Sequence, residues 1–217
     1  MIRNIFFDFD GTLADTTEGI VQCTLGTLQK LGLSASTPER IRSVIGLPLT
    51  GCFERGTDTP PERIAEACAT YRKLFNEIAI PCTTLYPGTK ETLAELQARG
   101  FTLALCTSRS NNSLNALLQV LGIRAHFLAI VTNEDVSHPK PAPDIALLAL
   151  ERLGARPDET MVVGDTVFDL QMGRAAGCRI CGVTWGNQDR PQLESEYPEL
   201  IIDDFRELLA YCIERAD

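Results

Sequence analysis

Apolar residues along this chain fall into two alternating patterns, short continuous runs and helically spaced stripes. The first run, Ile5-Phe6-Phe7, stops abruptly at Asp8-Phe9-Asp10-Gly11-Thr12. Similar runs recur over residues 101–106, 128–131, 161–163 and 180–183. Runs without polar interruption are typical of parallel strands covered on both faces. Between them lie helical stripes: Leu93 and Leu96; Leu114, Leu117, Leu118 and Leu121; Ile145, Leu148, Leu150 and Leu153. A last helix repeats Phe205, Leu208, Leu209, Cys212 and Ile213 at close to 3.6-residue spacing. This alternation predicts an α/β fold, a doubly wound parallel sheet with helices on both faces.

Residues 16–86 break the alternation and contain no strand signal. Ile20, Thr24, Leu28 and Leu31 make one helical stripe; Ile64, Cys68, Tyr71, Phe75 and Ile78 make another. Thr59-Pro60-Pro61-Glu62 reads as a capping box with proline in the first turn, and Ser36-Thr37-Pro38-Glu39 repeats the signal. The expectation is a core domain of residues 1–15 and 87–217 with a helical domain, 16–86, inserted after the first strand. The segment 81–88, with two prolines and a glycine, reads as the return linker.

Three predicted strands end in a polar residue: Asp8, Thr107 and Asp165. In open parallel sheets the ligand crevice lies outside the carboxyl ends of the strands, so these three converge on one edge. Asp8 and Asp10 are two apart and share a face of an extended chain, while Phe9 points into the core. Two such close carboxylates repel unless a cation lies between them or one is protonated. Gly164-Asp165-Thr166-Val167-Phe168-Asp169 adds two acids, although Asp169 could serve only as a helix N-cap. A cluster of Asp8, Asp10, Asp165 and Asp169 suits Mg²⁺, a hard cation that works with phosphate. Lys140 sits among alternating prolines in His138-Pro139-Lys140-Pro141-Ala142-Pro143, a stiff loop that holds it in a defined place. Ser108, Arg109 and Ser110 follow Thr107 and supply hydrogen-bond donors.

The 217 residues include 29 acids and 20 bases, a formal charge of −9. That argues against a phosphate-backbone-binding surface, hence against a nucleic-acid partner. No apolar run approaches the ~18 residues of a membrane span, and the N-terminus lacks a signal-peptide layout. The eight cysteines sit mostly in apolar stripes and read as reduced, buried side chains of a cytoplasmic protein. Cys178 and Cys181, three apart in a predicted strand, would face opposite sides of it. With His126 and His138 the only histidines, no His-rich metal site can be built, and a His-based triad is not expected.

These residues resemble the haloacid dehalogenase superfamily, in its phosphatase branch with a helical cap. Asp8-Phe9-Asp10-Gly11-Thr12-Leu13 is similar to the first motif of that family, Thr107 to the second, Lys140 to the third, and Gly164-Asp165 with Asp169 to the fourth. The resemblance covers essentially the whole chain and is strongest to phosphoglycolate phosphatases, partly through Gly46-Leu47-Pro48-Leu49. It implies a Mg²⁺-dependent phosphomonoesterase acting on a small phosphorylated metabolite. In that reading Asp8 is the nucleophile, Asp10 the acid and base, and Thr107 and Lys140 the phosphoryl holders. Asp8, Asp165, the Asp10 carbonyl and Asp169 bind the metal. Gly11, Thr12, Gly46, Pro48, Ser108 and Arg109 are the expected substrate-binding residues. Phosphoglycolate phosphatases often carry Asn-Lys after the second-motif threonine, where this chain has Ser108-Arg109. Arg109 could grip a substrate carboxylate or second phosphate, or stand exposed at a helix start. A phosphosugar mutase of the same superfamily is the alternative; a phospho-acceptor signalling module fits less well because it lacks a helical insert. A monomer or homodimer is expected, with no membrane partner.

Overall fold

The structure, a computed structural model, describes residues 1–215. In chain order the elements are β1 (Asn4–Phe7), β2 (Ala14–Asp15), α1 (Thr17–Lys30), α2 (Pro38–Arg42), α3 (Leu49–Gly56), α4 (Ile64–Ile78), β3 (Thr84–Leu85), α5 (Thr89–Ala98) and β4 (Thr102–Cys106). They continue as α6 (Asn111–Leu121), β5 (Ala129–Val131), α7 (Asp144–Leu153), β6 (Thr160–Gly164), α8 (Val167–Ala175), β7 (Arg179–Val183), α9 (Arg190–Glu194), β8 (Leu200–Ile202) and α10 (Phe205–Glu214).

Six strands form a parallel sheet in the order β5-β4-β1-β6-β7-β8. β1 is central, and Phe6 stands in register with Ala104 on one side and Val162 on the other. Its side chains divide between two cores, as strand alternation requires. Ile5 and Phe7 pack with Leu93, Leu117 and Leu208 of α5, α6 and α10. Phe6 packs with Ile145, Leu170 and Leu193 of α7, α8 and α9. All four residues of β1 are buried, which is why its sequence is apolar throughout its second half. Chain order reverses across β1: β4 and β5 lie to one side, β6 to β8 to the other. The carboxyl ends of β4, β1 and β6 therefore meet where a doubly wound sheet opens a crevice.

The helices between β2 and β3 pack on one another and on this edge. Gly19 of α1 backs onto Ala79, just past α4, where a Cβ would meet the Ala79 backbone at 2.9 Å. Further along, the Cys23 Sγ donates to the Tyr71 carbonyl. The two helices thus run antiparallel, burying Cys23 and Leu28 against Tyr71 and Phe75.

Several local expectations change. β8 carries no advance signal, because an edge strand of three residues with only Ile202 buried makes too short an apolar run. Within 16–86, Thr84 and Leu85 pair antiparallel with Asp15 and Ala14 as a two-residue ribbon. Thr59 caps no helix; its hydroxyl bonds that of Thr57, and α4 is entered through a 3₁₀ turn over Pro61–Arg63. Thr37 does cap α2, accepting from the Arg40 amide. Cys178 precedes β7 rather than lying in it, and it belongs to the opposite core from Cys181.

Candidate active site

β1 delivers Asp8 while still in the ladder, its amide donating to the Val163 carbonyl. Phe9 then turns fully inward and the chain bends at Gly11, whose φ of +84° suits glycine. Space demands it as well: a Cβ there would lie 2.1 Å from Asp165 Oδ2. Asp165, at the end of β6, is fixed by three donors. Thr12 Oγ1 lies 3.1 Å from one oxygen; the Asn187 amide and side-chain nitrogen lie 2.7 and 2.8 Å from the other. Asp169 is not the N-cap of α8 but its third residue. The cap is Thr166, whose amide and hydroxyl donate to Asp169 Oδ2 at 3.0 and 2.7 Å. A capping box spends only one oxygen, so the other is left for chemistry. Lys140 takes it: its fully buried Nζ lies 2.6 Å from Asp169 Oδ1 and 2.5 Å from Asp8 Oδ1.

Oxygens of Asp8, Asp165 and Asp169 lie within 4.8 Å of one another. An octahedral ion with ligands at about 2.1 Å needs oxygens separated by about 3–4 Å, so this donor set fits a hard divalent cation. The fourth acid expected in the cluster does not contribute its carboxylate. Asp10 turns instead to Thr16 Oγ1 at 2.5 Å and to Arg109, whose Nε lies 3.0 and 2.8 Å from its two oxygens and whose Nη2 also bonds Oδ1. Arg109 is therefore not an exposed helix-start residue. Its side chain is 9% exposed, with the guanidinium 5.8 Å from the Phe9 ring centre and 5.0 Å from that of Phe75 on α4. Aromatic faces stabilise a cation held this way.

Burial raises the Asp8 pKa well above the ordinary carboxylate range, a rise that Lys140 opposes and the other acids reinforce. Burial, then Asp169, pushes Asp165 up to about 7 against the hydrogen bonds from Asn187 and Thr12. Burial acts to lower Lys140, but Asp169 and Asp8 outweigh it and hold the ammonium charged. Four carboxylates against two cations leave uncompensated negative charge that a divalent cation matches.

Above this floor lies a cavity of about 440 Å³ between the strand ends and the helical block. Asp8, Asp10, Thr107, Ser108 and Arg109 line it from the sheet; Gly46, Tyr71 and Phe75 line it from the helices. Among the described residues, the Ser108 Oγ is buried with no hydrogen-bond partner, and so is Asn133 Oδ1 at the same cavity. A buried hydroxyl left unpaired is costly, and this one lies at the cavity. Three expected substrate residues are placed elsewhere. Gly11 and Thr12 lie under Asp165 and shape it, and Pro48 caps α3 off the cavity, where Leu47 and Leu49 on either side point in.

Sequence reasoning missed Asn187, Thr16, Asn133 and Arg72. Asn133 and Asn187 lie two and four residues past β5 and β7, beyond the threonines Thr132 and Thr184 that end those strands, so the strand-end signal stops short of them. Thr16 and Arg72 carry no such mark, since Thr16 meets Asp10 and Arg72 reaches the cavity only through tertiary approach.

The model of the haloacid dehalogenase-like hydrolase family matches residues 5–183. A protein of Dickeya dadantii (strain 3937) named "Probable phosphatase IndB" is 39% identical over 209 residues, covering 94% of this chain and 91% of the relative. The phosphoglycolate phosphatase of Escherichia coli (strain K12) is 32% identical, covering 96% and 91%. The crystal structure of a haloacid dehalogenase-like hydrolase from Bacteroides fragilis superposes with a TM-score of 0.90 at 30% identity, over 96% of this chain and 100% of that one.

Proposed function

Given that the chain belongs to the haloacid dehalogenase-like hydrolases, and that its relatives are named phosphatases, we propose that it hydrolyses a small phosphorylated metabolite, of the phosphoglycolate kind, through an aspartyl-phosphate on Asp8. The observation that carries this is Asp8 itself. It lines a cavity, is held by Lys140 through Oδ1 only, and stands beside two further acids on a floor suited to a divalent cation.

The substrate phosphoryl group sits over Asp8, with Thr107, the unpartnered Ser108 hydroxyl and Lys140 taking its oxygens. An Asp8 carboxylate oxygen bonds phosphorus as the ester P–O bond breaks in line, and Asp10 gives its proton to the departing alkoxide. Water then loses a proton to Asp10 and attacks the same phosphorus. The Asp8–phosphorus bond breaks, and inorganic phosphate leaves. Asp8, Asp165 and Asp169, with the Asp10 backbone carbonyl, would hold Mg²⁺; bound there it offsets the negative charge gathering on the phosphoryl oxygens. Lys140 keeps Asp8 and Asp169 from repelling each other, and fixed charges of this kind supply most of the rate in phosphoryl transfer. Residues 16–86 act as a cap whose closure over the cavity excludes water.

Phosphate release from a panel of esters, with Mg²⁺ and with EDTA, tests this. The panel holds 2-phosphoglycolate, sugar phosphates, nucleotides, pyrophosphate and p-nitrophenyl phosphate. Metal-dependent release with a clear preference is expected. Transfer of phosphate between sugar positions without net release would replace the phosphatase with a mutase.

A further inference from the structure

The loop between β7 and α9 touches both the cation floor and the chain crossings to the helical block. Its centre is Asn187. The backbone amide and the Nδ2 of Asn187 both donate to Asp165 Oδ2, at 2.7 and 2.8 Å. Two donors fill a carboxylate oxygen. Asp165 Oδ1 receives only the Thr12 hydroxyl, at 3.1 Å, and is the oxygen left with room for a cation. The other end of the Asn187 amide faces the helical block. Its Oδ1 accepts from the Thr17 hydroxyl at 3.0 Å, and Thr17 is the first residue of α1. Thr17 thereby fixes which way the amide points: reversed, the amide would set its oxygen against the Asp165 carboxylate. Close packing holds the loop in place. A Cβ on Gly186 would lie 2.3 Å from the Asp165 Cβ and 2.5 Å from the Gly11 carbonyl oxygen; one on Gly11 would lie 2.4 Å from Asn187 Nδ2. The same loop packs on the return linker. Trp185 donates its Nε1 to the Thr12 carbonyl at 3.0 Å, and its ring centre lies 6.2 Å from that of Tyr86. Tyr86 in turn donates its amide to the Leu13 carbonyl. Both chain crossings to the helical block therefore pass this loop, and one of them is bonded to the side chain that orients an acid of the floor.

We propose that Asn187 is a positioning residue that couples the cation floor to the seating of the helical block through Thr17. With α1 seated, Thr17 holds the Asn187 amide, the amide holds Asp165 Oδ2, and Asp165 Oδ1 is kept for the ion. An ion on Oδ1 in turn fixes Asp165 and Asn187 and offers Thr17 a rigid acceptor. The two effects are one coupling free energy and are reciprocal: what the seating of α1 adds to Mg²⁺ affinity, Mg²⁺ adds to the seating of α1. A floor that binds its ion best beneath a seated helical block brings cation and water exclusion together. Asn187 does not line the cavity, so it acts through Asp165 rather than on substrate. The inference rests on the phosphatase reading for the ion and the cap, and adds the residues that join them.

Calorimetric titration with Mg²⁺ tests the outer half of this relay at Thr17, a half-buried residue whose hydroxyl bonds Asn187 and no acid of the floor. Thr17→Val keeps the branched shape and removes only the hydroxyl. It should weaken Mg²⁺ binding by about threefold to tenfold, the worth of one hydrogen bond. Thr17→Ser, which keeps the hydroxyl, should bind Mg²⁺ as wild type does. Asn187→Leu, which also frees the Asp165 side chain, should cost more than about tenfold. Hydrogen exchange reads the reverse direction without turnover. Mg²⁺ should slow exchange over the first turn of α1 by about threefold or more in wild type and Thr17→Ser, and leave it unchanged in Thr17→Val. Wild-type Mg²⁺ affinity in Thr17→Val, a loss that Thr17→Ser does not restore, or equal protection of α1 in all three proteins overturns the coupling and leaves the phosphatase standing. Failure of the wild-type protein to bind Mg²⁺ overturns the cation reading and the coupling with it.

Discussion

The floor of the cavity and its wall are built on opposite principles. On the floor nearly every polar atom is committed. Asp165 accepts from Thr12 and Asn187, Asp169 from Thr166 and Lys140, and glycines at 11, 164 and 186 let the backbone approach where a Cβ would collide with those acids. The wall keeps atoms in reserve: among the described residues, a buried Ser108 hydroxyl and an Arg72 have no hydrogen-bonding or acidic partner. A floor that must place a cation and a nucleophile to within fractions of an ångström gains from over-determination. A wall that must accept and release different groups cannot be saturated in the free protein. If that contrast holds, changes to the floor should abolish chemistry for every substrate, and changes to the wall should redistribute it among substrates.

The largest effect should come from Asp8→Asn. The amide can still accept from Lys140, so the fold should persist, with an unchanged far-ultraviolet spectrum. Phosphate release should drop by about four orders of magnitude or more on all substrates alike. A residual rate above about 1% of wild type would remove Asp8 from the nucleophile's role.

Next is Gly164→Ala. The new methyl would lie 2.2 Å from the Asp169 Cβ, an atom anchored to backbone that cannot swing away. Overpacking there should cost about 1–3 kcal/mol of stability. By displacing a residue of the cation floor it should weaken Mg²⁺ binding by about tenfold or more. Chemical denaturation and metal titration check the two halves; normal metal affinity in a destabilised protein would show that Asp169 is not needed for the ion.

The floor also predicts a pH dependence. Asp8 and Asp165 hold protons more tightly folded than unfolded, Asp165 up to about 7. Between roughly pH 4 and 7 the folded protein then binds more protons than the unfolded chain, so metal-free stability falls as pH rises through that window. Mg²⁺ compensates the charge, so its stabilisation should be small near pH 5 and grow toward pH 8. Thermal unfolding with and without Mg²⁺ at each pH reads this directly. Parallel curves would show that the buried acids are not the ion's ligands.

The same contrast governs what was legible in the sequence. Asp8, Thr107, Asp165 and Lys140 were readable because their chemistry is local: an apolar strand stops at a polar residue, or prolines stiffen a loop. The sheet was readable for the same reason, since buried parallel strands write continuous apolar runs. The partner of Asp10 was not readable. Arg109 lies 99 residues away, and nothing in Thr107-Ser108-Arg109 says which acid it meets. Arg72 sits on the polar side of the α4 stripe, indistinguishable in sequence from a solvated arginine. β8 was hidden because an edge strand with one buried residue writes almost no pattern.

The smallest effect separates two neighbours that the sequence joined. Gly46 and Pro48 belong to one turn of the helical block, and both were expected to touch substrate. In the structure Gly46 lines the cavity at a φ of +103°, with the place of its missing Cβ 3.1 Å from Thr166 Oγ1, across the junction with the core. Pro48 is an N-cap that faces away. Gly46→Leu should therefore strain the turn and obstruct closure, lowering kcat/KM by about tenfold for the preferred substrate and less for p-nitrophenyl phosphate, which depends little on the wall. Pro48→Ala keeps an extended conformation that alanine adopts freely, so it should change either rate by less than about twofold, the range of surface substitutions remote from a site. A large, substrate-selective loss at Pro48 would mean that the turn rotates on closure and exchanges the two residues at the wall. Equal losses at Gly46 on both substrates would mean that the turn supports the fold and selects nothing.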